Sequence, residues 1–200
     1  MPYGLLCAPM RDTINQLDTD LFLWLNGHFA PWLDPIMVWV TTRNNWFPFY
    51  ALLIGWLVYR YRTQAIGLLL TIIAAVALGD QLASSVLKPL THRLRPCHVP
   101  TLQKFIHSIV DCGGQYGFVS SHAATTFALS TSLWLLLGER HSWMKWASLW
   151  AALIAYSRIY VGVHYPLDVL AGTGVGVLSA VLCVATYRLV QIQFGWQRPA

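Results

Sequence analysis

Three short stretches of this chain keep ionisable side chains where an apolar sequence has least reason to hold them. SRIYVGVHYPLDVLAG (157–172) carries Arg158, His164 and Asp168. KPLTHRLRP (88–96) carries Lys88 and Arg95, and GFVSSHAATTFA (117–128) carries Ser120, Ser121 and His122. An ionised group in hydrocarbon costs roughly 2.5–3.5 kcal/mol on insertion scales, so such groups point to function by default. His164 and Asp168 stand four apart and share one face of a helix start. The carboxylate can accept one ring N–H, which fixes the tautomer and leaves the other nitrogen as base or nucleophile. Lys88, Arg95 and Arg158 are fixed cations. The helix start near Ser120, Ser121 and His122 offers free backbone N–H groups and the positive end of a dipole. Together these describe a site for an anion the size of phosphate.

The elements that must position these groups follow from composition. Charged residues make up 10% of the 200, hydrophobic residues 56%, and there are ten tryptophans. A soluble domain carries about 25% charged residues, so lipid is the expected solvent. Apolar segments run over 44–61, 64–87, 122–138, 143–160 and 165–190. Residues 12–42 are broken by Asp18, Asp20, Asn26, His28, Pro31, Asp34 and Pro35. They read as two short amphipathic helices lying at the interface, anchored by Trp24, Trp32 and Trp39, with a sixth span as the competing reading. The expected fold is therefore all-α: a polytopic membrane helix bundle of five or six spans. Residues 1–43 form the interfacial part, 44–190 the core with an outer loop over 88–121, and 191–200 a cytoplasmic tail.

Charge sets the orientation. Arg60 and Arg62, then Arg140 and Lys145, then Arg188 and Arg198 lie on alternate connections, which marks that side as cytoplasmic. The connections 88–121 and 161–164 then face outward, and all three stretches meet there. Gly162 can break the helix before it, and Pro166 suits the first turn of the next. Pro89 is expected to end the second span at Lys88. The first sixteen residues lack the long apolar run of a signal peptide. The net charge of +5 is dispersed between apolar runs rather than gathered in a stripe, which argues against a nucleic-acid partner.

Lys88 with six residues to Arg95-Pro96, then Ser120-Ser121-His122, then Ser157-Arg158 with five residues to His164 and three to Asp168, resembles the type 2 phosphatidic acid phosphatase superfamily. The first and third parts match its K-x6-RP and SR-x5-H-x3-D patterns. In the middle part, PSGH, Val119 stands for the proline and Ser121 for the glycine. The resemblance implies a catalytic set of His164, His122 and Asp168. His164 would attack phosphorus and form a phosphohistidine, Asp168 would orient it, and His122 would protonate the leaving oxygen and then activate water. Lys88, Arg95, Arg158, Ser120 and Ser121 would hold the phosphoryl oxygens. No metal or cofactor is expected, because the cations do that work. The implied substrate is a lipid phosphate or diphosphate, undecaprenyl diphosphate being favoured. Phosphatidylglycerophosphate, phosphatidate and lipid A 1-phosphate are alternatives, and a non-catalytic anion or lipid transporter is the rival of another class. The implied location is a bacterial plasma membrane, with the site facing the periplasm or exterior.

Other residues receive plainer readings. Cys97 and Cys112, in a loop placed in an oxidising compartment, are expected to form a disulfide; Cys7 and Cys183 are expected to be free thiols. His92, His98 and His107 share that loop, but their spacing matches no compact zinc pattern. Asp80 is expected to be structural, and the G-x-x-x-G pair of Gly172 and Gly176 to serve close helix packing.

Overall fold

The structure is a computed structural model that describes residues 7–194, with side chains from residue 12 onward. Cys7 as a thiol, Arg198 and most of the expected tail lie outside the described residues. Apart from short 3-10 turns, the elements are α1 (Cys7–Gly27), α2 (Asp34–Thr41), α3 (Phe47–Tyr61), α4 (Gln64–Thr91), α5 (Ser121–Leu137), α6 (Trp146–Tyr160) and α7 (Pro166–Gln193). No strand forms among the described residues; Leu94 and Tyr116 make one isolated antiparallel bridge. The fold is all-helical, as expected. α4 and α7, each 28 residues, are long and apolar enough to cross a bilayer. α3, α5 and α6 have 15, 17 and 15 residues, at or below the usual lower limit of about 17.

α5 is the central post, packed against α4, α6 and α7. α7 approaches it most closely because Gly172 and Gly176 lie one turn apart on the contact face. A Cβ on Gly172 would strike the carbonyl of Ser120, and one on Gly176 that of Ala124, whereas Gly174 faces open space. The helix carrying Asp168 is thereby held against the helix carrying His122. At the opposite end a core of Leu57, Tyr61, Leu68, Leu133, Leu137 and Met144 closes the bundle. His141 Nε2 meets the Tyr61 hydroxyl there at 2.9 Å, and Arg188 donates to the Leu135 carbonyl. The basic connections thus gather at one end and the three motifs at the other. Leu52, Leu70, Leu178 and Ile192 point outward, as helices facing hydrocarbon require.

Three sequence expectations change. Pro89 does not end α4: the helix passes through a π turn at Leu82–Leu87 and continues to Thr91, where His92 enters the left-handed region at φ 49°. A proline ring clashes with the preceding α turn, and a wider π turn gives it room. The N-terminal region is not two short helices, because α1 alone has 21 residues. Asp18, Phe22 and Asn26, spaced by four, form one buried face. Asn26 donates to the carbonyls of His107, Ile159 and Tyr160 and accepts the His107 N–H at 2.7 Å. The polar residues that interrupt the apolar pattern are the docking face of α1, which lies across the site-bearing ends of α6 and α7. Trp24, Trp32 and Trp39 remain exposed. α7 also runs to Gln193, three residues past the expected end.

Candidate active site

The turn between α6 and α7 delivers the third motif. Gly162 at φ +81° reverses the chain where a side chain would run into the His107 carbonyl. His164 follows, 1% exposed, and Tyr165 caps α7 with Pro166 in its first turn. Asp168 Oδ2 accepts the Tyr165 backbone N–H at 3.0 Å, so this carboxylate closes the helix start. The expected imidazole–carboxylate hydrogen bond is not formed. His164 Nδ1 lies 3.5 Å from Asp168 Oδ2 and has no hydrogen-bond partner. The reason is competition: one oxygen is engaged by the cap and the other by Arg93.

Arg93 is the residue that sequence reasoning missed. Its Nη1 donates to Asp168 Oδ1 at 2.8 Å and its Nη2 to Asp18 Oδ2 at 2.5 Å, and its guanidinium stacks 4.2 Å above the Tyr165 ring. Asp18 Oδ1 accepts the Leu167 N–H at 2.9 Å. Arg93 and Asp18 thus hold the start of α7 from outside, with Asp168 between them. Charge-assisted contacts of this kind are stronger than neutral ones and cannot be broken singly without stranding a buried charge. Arg93→Ala is expected to lower kcat by about tenfold or more with KM little changed, and Arg93→Lys to recover part of it, measured by phosphate release. A loss confined to thermal stability, with kcat intact, would contradict a positioning role.

The Arg95 end of the first motif lies in extended chain bridged to residues 115–117, while Lys88 belongs to the last turn of α4. Arg95 N–H donates to the Gln115 carbonyl and Gly117 N–H to that of Arg93. Arg95 Nε donates to the Tyr116 carbonyl at 3.2 Å, and Nη1 to that of Cys112 at 2.5 Å. Cys112 is joined to Cys97 by a disulfide with Cα atoms 6.2 Å apart. Cys183 is a free thiol. Gly117 is required to be small, because a Cβ would come 3.0 Å from Asp168 Oδ2 and 3.2 Å from Arg95 Cγ.

The second motif starts α5. Ser120 is its N-cap, fully buried, with its Oγ accepting the Ala123 N–H at 3.5 Å. Ser121 turns away to meet the Lys88 ammonium at 2.5 Å and Ser84 Oγ at 3.0 Å. Ser84 also donates to Asp80 at 3.3 Å, so Asp80 ends a polar chain that runs along α4 to Lys88. Arg158, 8% exposed, donates to Thr41 Oγ1 at 2.6 Å from Nη1, while its Nε–H is buried without a partner. A buried guanidinium N–H of that kind suits a phosphoryl oxygen.

Lys88, Arg95 and Arg158 all act electrostatically on His164, and with its burial they hold the imidazole well below its usual pKa. Burial is the larger cause; both disfavour imidazolium. His122 stands within electrostatic range of His164, Arg158 and Lys88. It opens on a cavity of about 480 Å³ whose other walls include Trp46, Tyr50, Leu57, Ile72, Leu129 and Trp150. His164 does not line that cavity. The remaining loop histidines go elsewhere: His107 to Asp34, His98 to the Gly113 carbonyl, and His92 against the Tyr116 ring.

Known proteins resemble this chain in sequence and in fold. The chain is 34% identical to the lipid A 4'-phosphatase of Bacteroides thetaiotaomicron over 171 residues, covering 84% of this chain and 75% of that protein. It is 33% identical to an undecaprenyl-diphosphatase of Sulfolobus acidocaldarius over 162 residues, covering 78% and 71%. The crystal structure of Aquifex aeolicus LpxE superposes with a TM-score of 0.67 at 26% identity, over 84% of this chain and 95% of that one. The family model described as the PAP2 superfamily matches residues 64–191, which contain all three motifs. The chain belongs to the PAP2 superfamily, as a hydrolase of phosphate esters.

Proposed function

We propose that this membrane lipid phosphatase removes the terminal phosphate of a polyprenyl diphosphate, with undecaprenyl diphosphate as the favoured substrate, through a phosphohistidine at His164. The observation that carries the reading is the division of the two histidines. His122 opens on an apolar cavity able to take a lipid tail, and buried His164 lies among the cations, outside that cavity. In-line displacement needs the nucleophile and the leaving group on opposite sides of phosphorus.

The steps follow from that arrangement. The unprotonated ring nitrogen of His164 attacks the terminal phosphorus, and the bond to the bridging oxygen breaks. His122 gives its proton to that oxygen, so the lipid phosphate leaves. Water then attacks the phosphohistidine while His122 takes its proton, which releases inorganic phosphate and restores both histidines. Lys88, Arg95 and Arg158 bear the charge on the phosphoryl oxygens. Ser120 fixes the start of α5, and Ser121 aims Lys88. Asp168 and Arg93 hold the turn that carries His164. In this reading α3 to α7 serve as five spans, α1 and α2 lie at the outer interface, and the basic connections at the opposite end support a site on the periplasmic or exterior side.

A second reading has support of its own. The similarity to a lipid A 4'-phosphatase favours a glycolipid monophosphate. Phosphate release from a panel of purified lipid phosphates in detergent separates the two. Undecaprenyl diphosphate is expected to give a kcat/KM about tenfold or more above lipid A. Activity is expected to survive EDTA and to be inhibited by vanadate, a trigonal-bipyramidal mimic of the transferring phosphoryl group. Preference for lipid A would overturn the diphosphate assignment. Complete loss in EDTA, restored by Mg²⁺ or Zn²⁺, would overturn the cation-only site.

A further inference from the structure

Arg43 is a cation that the catalytic scheme above does not use. It opens the 3-10 turn Arg43–Trp46 between α2 and α3, two residues after Thr41, the partner of Arg158. It lines the same cavity as His122, and Thr41, Asp80, Thr125 and Thr126 are among the polar residues of that lining. The other polar groups there are engaged. Asp80 accepts from Ser84, Thr125 donates to the Ser121 carbonyl and Thr126 to the His122 carbonyl. The Arg43 side chain makes neither a hydrogen bond nor an ion pair among the described residues. Its charge lies within electrostatic range of both Arg158 and His122.

That position has a chemical meaning. His122 stands at the leaving oxygen, so a cation beside it on the cavity side faces the leaving group rather than the reacting phosphoryl. The alcohol that leaves from a monoester is neutral and gives such a cation nothing to bind. The group that leaves from a lipid diphosphate is itself a phosphate. It is anionic throughout, stays attached to the tail, and gains charge at the bridging oxygen as the bond breaks. A guanidinium can hold its free oxygens in a bidentate fork. We propose that Arg43 forms a second phosphate subsite, which binds the non-reacting, tail-attached phosphate of a lipid diphosphate while Lys88, Arg95 and Arg158 hold the reacting one. The proposal rests on the phosphatase reading and sharpens it to diphosphates. A snorkelling arginine that only touches headgroups would be indifferent to how many phosphates the substrate carries.

The test compares initial phosphate release from farnesyl diphosphate and farnesyl phosphate in detergent, for the wild type, Arg43→Ala and Arg43→Lys. Arg43→Ala is expected to lower the ratio of kcat/KM for diphosphate over monophosphate by about tenfold or more, and Arg43→Lys by less. An unchanged ratio in Arg43→Ala, whether both activities fall or neither does, overturns the subsite. Release from neither substrate by the wild type would instead sink the phosphatase reading. Binding then decides the subsite separately, followed by the fluorescence of Trp46 and Trp150 in the cavity wall. Arg43→Ala is expected to weaken the non-hydrolysable farnesyl methylenediphosphonate about tenfold more than farnesyl phosphonate. Equal weakening of the two overturns it.

Discussion

His164→Ala is expected to abolish turnover, and His122→Ala to lose at least about a hundredfold, the lower range for general acid–base help. The difference follows from their roles. Without His164 no covalent intermediate forms, whereas without His122 the intermediate still forms with a poorer leaving group. Asp168→Asn is expected to reduce turnover by less, because the amide oxygen can still accept the Tyr165 N–H while the ion pair to Arg93 is lost. The pH dependence carries a sign. His164 is held well below its ordinary pKa by burial and by Arg158, Arg95 and Lys88, so it stays neutral and nucleophilic below pH 6.5. The acidic limb of kcat/KM due to this group is therefore expected below the range of a free imidazole. The unfolded chain takes up this proton first as pH falls. The contribution of His164 to stability is thus fully present above about pH 6.5 and is lost progressively below it. Wild-type activity in His164→Ala would remove the mechanism.

Reduction of the Cys97–Cys112 bond is expected to lower activity sharply while helix content, read by far-UV circular dichroism, stays unchanged. The bond closes a loop across a sequence separation of 15, worth about 3 kcal/mol in the chain-entropy estimate. Its effect on catalysis runs through Arg95, whose Nη1 is held by the Cys112 carbonyl and whose backbone is one residue before Pro96-Cys97. Freeing the loop lets that carbonyl move and leaves the guanidinium held only through its Nε–H to the Tyr116 carbonyl. The spans do not depend on the loop and are expected to persist. Full activity with both thiols shown free by alkylation and mass spectrometry would contradict this coupling.

The apolar runs and the motif spacing made the bundle core and the candidate catalytic groups legible, for distinct physical reasons. A helix in lipid must satisfy its backbone internally, so it appears as one continuous apolar run, and α3 to α7 lie within a few residues of those runs. The motif residues were legible because ionisable groups are rare there. Arg93 was hidden inside the first motif, two residues from Arg95. Both lie in the extended chain around the Leu94–Tyr116 bridge and, two apart, share one side of it. Their guanidinium groups then diverge: that of Arg95 is taken by the Cys112 and Tyr116 carbonyls of the loop, that of Arg93 by Asp168 and Asp18. Its partner Asp18 lies 75 residues away in sequence, and nothing local links the two. α1 was misread because Asp18 and Asn26 look like interruptions of an apolar helix. Their spacing with Phe22 is a buried stripe once backbone carbonyls and an arginine, rather than lipid, lie opposite. The missing His164–Asp168 hydrogen bond has a similar cause. An i, i+4 spacing brings two groups together but does not say which other donors compete for the carboxylate.

The most direct test of the account is to find the phosphate on the enzyme. Wild-type protein turning over radiolabelled undecaprenyl diphosphate is quenched in alkaline detergent within the first turnovers, where phosphohistidine survives, and its peptides are mapped by mass spectrometry. The account predicts label on the peptide that contains His164, and none in His164→Ala. Label on His122, or turnover with no labelled histidine at any quench time, would contradict it.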